Sequence, residues 1–89
     1  MVSAETDSEE RVRSFSTRVL GKLRQPESLA VLRRLLNDHS VFVRFNAAWA
    51  LGELTDRQAR ATLMRLEQRD PSPLVRQSAG DSRRKIEGG

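Results

Sequence analysis

One pattern is written three times along this chain, and it limits the fold more than any other feature. The stretch Asp38 to Leu54, DHSVFVRFNAAWALGEL, has counterparts in DSEERVRSFSTRVLGKL from Asp7 to Leu23 and DPSPLVRQSAGDSRRKI from Asp70 to Ile86. In each copy an Asp is followed five and six residues later by Val-Arg. The copies start 31 and then 32 residues apart. A fixed period of this size marks a stack of supersecondary units, each burying its apolar face only against its neighbours.

The units read as helices. Val12, Phe15, Val19, Leu20 and Leu23 share one face of a 3.6-residue period, so a first helix is expected over 8–23 behind a frayed tail of residues 1–6. Asp7 or Ser8 would cap it, and Pro26 ends it, because the residue before a proline avoids the helical region. A second helix then carries Leu29, Leu32, Leu35 and Leu36 as far as about Asn37, with Arg33 and Arg34 outward. Ser40 offers a cap for a central helix of 41–54, where Ala47, Ala48, Ala50 and Gly52 permit close helix approach. Thr55 or Asp56 is expected to cap a fourth helix with Ala59, Leu63 and Leu66 inward. Ser72 is expected to cap a fifth that runs to about Ile86, before a disordered 88–89. No window alternates long enough to be a strand. The prediction is an all-α chain, an α-solenoid of about two and a half repeats and five helices. It forms one domain over 7–87, divided into a first inner helix 8–23, a repeat 24–54 and a repeat 55–86.

Composition narrows the function classes. The chain has 89 residues, no Cys and a single His, which gives no disulfide framework, thiolate nucleophile or zinc constellation. His39, beside Asp38, is expected to be exposed. No apolar run is long enough to span a membrane, and the polar, acidic MVSAETDSEE is unlike a signal peptide, so a cytoplasmic setting is expected. Sixteen basic residues against twelve acidic give +4, with fourteen Arg and two Lys. The signs are interleaved, as in Glu9, Glu10, Arg11 and Arg13, which is the pattern of a solvated helix surface more than of a phosphate-binding face. The Ser residues have no local base, and there is no glycine-rich phosphate loop. No catalytic, cofactor or metal residues are assigned, and the chain is read as no enzyme.

These residues resemble HEAT repeats, particularly the short units of phycobilisome lyases and related proteins. Asp38, Val43, Arg44, Ala47, Ala48, Leu51 and Gly52 match that pattern, as do Asp7, Val12, Arg13, Leu20 and Gly21, and more weakly Asp70, Val75, Arg76 and Ala79. The physical role expected of Asp7, Asp38, Asp70, Arg13, Arg44 and Arg76 is structural: a carboxylate in each turn takes amides of the next helix start, and each Arg reaches an Asp of its own or an adjacent unit. Such a ladder fixes the stacking register. Val12, Val43 and Val75 should then sit in like surroundings. In the third copy Asp81, Arg83 and Arg84 replace Trp49, Leu51 and Gly52, so 72–87 is read as a polar terminal cap. In the first copy Ser16 and Thr17 replace Ala47 and Ala48 and no partner helix precedes, so the N-terminal end is open, with self-association as one way to cover it.

The resemblance implies that the Val-Arg helices line a concave face. Phe45, Trp49 and Glu53 form one stripe there, aligned with Ser14, Arg18 and Lys22 in the first copy and with Gln77, Asp81 and Lys85 in the third; Phe42 extends the aromatic part. These rings either fill gaps left by alanines or form an apolar anchor flanked by Arg18, Lys22, Asp81 and Lys85. The function expected is that of a protein-protein interaction adaptor or scaffold. The alternatives are an accessory subunit related to bilin lyases or phycobilisome-handling factors, as the resemblance implies, and nucleic-acid binding through Arg33, Arg34, Arg57, Arg60 and Arg65.

Overall fold

The computed structural model describes residues 4–88, with side chains from Glu9 onward. Five α-helices follow one another among the described residues: α1 (Ala4–Leu23), α2 (Leu29–Leu35), α3 (Val41–Glu53), α4 (Arg60–Arg69) and α5 (Pro73–Gly88). Single 3-10 turns, Pro26–Ser28 and Arg57–Ala59, lead into α2 and α4. The first helix thus takes in residues 4–6, expected as tail, and the last takes in Gly88; residues 1–3 and 89 lie outside the described part.

Local chemistry sets the helix ends. The Ser40 and Ser72 hydroxyls accept from the amides of Val43 and Val75, at 3.3 and 3.4 Å. Both α1 and α3 stop at a left-handed residue, Arg24 (φ 55°) and Thr55 (φ 48°), which turns the chain back before the next proline or aspartate. The cap expected at Thr55 or Asp56 is not made. Thr55 donates to the carbonyl of Leu54, and the Asp56 carboxylate is drawn away to Arg33.

α1, α3 and α5 lie side by side, and α2 and α4 pack on α3 and α5 as a second layer, in a slab of 44 × 28 × 15 Å. Between the layers sit Leu32, Leu36, Leu51, Leu63 and Val75, all fully buried, with Ala47, Ala48 and Ala50 letting the helices close. At Gly52 the approach is tightest: an added Cβ would lie 2.6 Å from Ser82 Cβ and 2.9 Å from its Cα, besides striking Oγ. Gly52→Ala should therefore push α3 and α5 apart and cost about 1–3 kcal/mol in urea unfolding, with partial recovery when Ser82→Gly is added. An unchanged midpoint would contradict the packing described.

Val12 departs from expectation. Val43 and Val75 are 0% exposed, whereas Val12 is 63% exposed, joined by Phe15 (71%) and Leu23 (56%). The period is intact, but among the described residues α1 has no outer helix of the kind α2 supplies to α3, and these side chains are left exposed. Burial follows from a neighbour's presence, not from the residue alone.

Candidate functional site: the face of the inner helices

Charged rungs hold the face in register. Arg13 grips the Asp38 carboxylate through Nε (3.1 Å) and Nη2 (3.2 Å), and Arg44 grips Asp70 the same way at 2.9 and 3.2 Å. Each Asp also accepts the amide two residues on, Ser40 or Ser72, at 2.9 Å. Arg44 donates further to the carbonyl of Asp38 (2.9 Å), and Arg76 to that of Asp70 (2.7 Å). Arg44 therefore ties its inner helix both to its own turn and to the following unit, while Arg13 is tied to the following turn and Arg76 to its own. The side chain of Asp7 lies outside the described residues. A second rung runs through the outer layer, Arg33 to Asp56 at 2.6 and 2.9 Å. Sequence reasoning missed it because Asp56 stands where a cap is expected and Gln25 takes its place one repeat earlier.

Upon this frame the three stripes meet. Asn46 spans α1 and α3, donating to the Ser14 hydroxyl (2.7 Å) and accepting from Arg18 (3.3 Å). The Arg18 guanidinium carbon sits 4.0 Å from the centroid of the Trp49 ring, a cation–π stack. Ser78 and Ser82 donate to the carbonyls of Phe45 and Ala48, at 3.2 and 2.6 Å, and so pin α5 to α3. Lys85 pairs with Glu53. Phe45 and Trp49 are both half-buried against the core and open on their outer edges to a groove of about 570 Å³ between α3 and α5. Leu74, Gln77, Asp81 and Lys85, with Ser78 and Ser82, complete its walls. A second groove, about 470 Å³, runs between α1 and α3 beside Phe15, Phe42, Arg11 and Arg18.

Leu74 was absent from the sequence-based set. It was legible: Leu74 stands 32 residues after Phe42, in the same column of the repeat, and both are exposed, at 54% and 58%. Asp81 is held by Arg84 at 2.6 Å and is not idle.

The terminal helix is charged in an ordered way. Arg83 bridges Glu67 (2.6 Å) and Glu87 (2.8 Å), and Arg60 reaches Glu87 at 2.7 Å. Those bonds hold the Glu67 carboxyl below the usual range, Arg83 being the main cause. Glu53 is held down chiefly by Lys85. At Asp38 and Glu87 burial pushes upward, but is outweighed by the Ser40 amide and Arg13 at the first and by Arg83 and Arg60 at the second. Carboxyls depressed in the folded state contribute stability that is complete above their unfolded values and is lost as pH falls through the folded ones. The melting temperature should thus be level down to about pH 5 and fall below about pH 4.5, with a shallower fall in Glu67→Gln. A stability that rises on acidification would contradict these pairings.

Among the described residues no group of three His, Cys, Asp or Glu side chains could hold a metal ion, and no helix is long and apolar enough to cross a membrane. Helix pairs stacked in register, with a repeated turn Asp and inner-helix Arg, define an α-solenoid. A model of the family described as HEAT repeats matches residues 2–82, and the chain belongs to that family. Repeats of this family generally mediate contacts between proteins. No curated protein matches the chain.

Proposed function

We propose that this protein is a non-enzymatic adaptor that binds a partner protein through the face of α1, α3 and α5, the concave face by family resemblance. The observation that carries this reading is the groove between α3 and α5, where Phe45, Trp49 and Leu74 offer apolar surface inside a rim of Gln77, Asp81 and Lys85. Aromatic centres with polar rims are the usual anatomy of a recognition surface. The arginine alternative is less supported. Of the five outer-layer arginines it invokes, Arg33 is paired with Asp56 and Arg60 with Glu87, so those two charges are already matched within the fold, and Arg65 is engaged by the neutral Asn37.

The test is selection from a random peptide library displayed on phage, run on the wild-type protein, on Trp49→Ala and on Leu74→Glu. Wild type should enrich a common apolar anchor, and both variants, still folded by their melting curves, should lose the selected peptides by about tenfold or more. Enrichment that is unaffected by either variant would place the binding surface elsewhere, and no enrichment at all would count against the adaptor reading.

A further inference from the structure

The inner face is not evenly charged, and the asymmetry indicates the chemistry of its partner. At the α5 side every charge lining the groove has a counter-charge: Lys85 with Glu53, and Asp81 with Arg84. At the α1 side Arg11, Arg18 and Lys22 form no ion pair with a carboxylate among the described residues. Arg18 is instead spread on the Trp49 ring and bonded to the neutral Asn46, so its position is fixed while its guanidinium makes no direct carboxylate contact among the described residues. The two grooves adjoin at this stack: the larger one is apolar with neutralised walls, and the smaller one carries Phe15 and Phe42 under Arg11 and Arg18, with Glu10 at its edge.

Resting on the adaptor reading, we infer that the face takes a peptide segment with an apolar anchor and an acidic flank. The anchor sits between α3 and α5, against Phe45, Trp49 and Leu74. The acidic residues lie over α1, against Arg11, Arg18 and Lys22. Carboxylate to guanidinium is the strong directional pairing available there, and Arg18, held flat by the indole and by Asn46, loses little freedom on making it. Single-stranded nucleic acid also combines stacking with arginine. It fits this face less well, because a phosphate chain needs cations along its whole track, and over the larger groove Lys85 is already paired with Glu53 and Asp81 with Arg84, which confines the cations without an ion pair to α1.

The experiment uses three synthetic peptides of equal length, each with the same central Leu-Phe anchor and with one flank of Asp/Glu, of Ser/Gln or of Lys. Fluorescence polarisation reads their binding, with a fluorescent oligo-dT as a fourth probe. The acidic peptide should bind about tenfold or more tighter than the neutral one, and the lysine peptide weakest. Arg11→Glu/Lys22→Glu changes two exposed residues and should preserve the melting curve while abolishing the acidic preference. Salt should weaken the acidic peptide more than the neutral one. Equal binding of all three peptides, lost together in Leu74→Glu, would overturn the acidic flank and leave the adaptor reading intact. Preference for the lysine peptide, or oligo-dT binding tighter than every peptide, would overturn the inference. Binding by none of the probes would overturn it too, and the adaptor reading would then stand or fall by the library selection.

Discussion

Val43→Asp should leave the chain unfolded in dilute buffer, with no cooperative melt by circular dichroism. Val43 is fully buried, at the start of α3. An aspartate there must either remain charged without a cation or take up a proton in an apolar site, and either course costs several kcal/mol. A domain of this size has roughly 5–15 kcal/mol to lose at the outset. The informative control is the same change at the same place in the first copy. Val12→Asp lies on a side chain that is 63% exposed and should shift stability by about 0.5 kcal/mol or less. Equal effects at the two sites would mean that α1 is covered in solution and that the open end described above is wrong.

Arg44→Ala should cost about 3–5 kcal/mol, the range for breaking a buried ion pair from one side. Arg44 and Asp70 are 13% and 2% exposed, against 29% and 10% for Arg13 and Asp38, so Arg13→Ala should cost distinctly less. Removing Arg44 strands a carboxylate that retains only the Ser72 amide, and it also releases the Asp38 carbonyl. Asp70→Asn placed in the same chain keeps the acceptor for Ser72 but removes the charge. The double variant should therefore be more stable than Arg44→Ala alone by urea unfolding. A double variant less stable than the single would show that the loss lies in packing of the Arg44 stem and not in the orphaned charge.

These two residues also show where the sequence was informative. Val43, Val75, Leu51 and Leu63 are buried because hydrophobic spacing and repeat period point to the same face, and both signals are local or self-similar. The period could not reveal the exposure of Val12, Phe15 and Leu23. That depends on an outer helix which is absent beside α1 among the described residues; the count of units anticipated an open N-terminal end, but the repeat pattern alone assigned Val12 the same surroundings as Val43. The Arg33–Asp56 rung was hidden for a different reason: it pairs a helix residue with a turn residue 23 positions away and has no counterpart at Gln25. For the candidate site, the stripes Ser14-Arg18-Lys22, Phe45-Trp49-Glu53 and Gln77-Asp81-Lys85 were readable as columns. The Arg18 stack on Trp49 and the Glu53–Lys85 pair required neighbouring helices at a definite distance, which helix-helix packing sets and which spacing along one helix does not.

The central claim is that this molecule works by presenting the face of its inner helices. Amide and side-chain chemical-shift mapping with a peptide selected on the wild-type protein tests it most directly. The account predicts shifts concentrated at Phe45, Trp49, Leu74, Gln77 and Asp81, extending to Arg18 and Lys22, with the exposed surface of α2 and α4 silent. Shifts centred on Arg34, Arg57, Arg60 and Arg65, with the Trp49 indole unmoved, would contradict it.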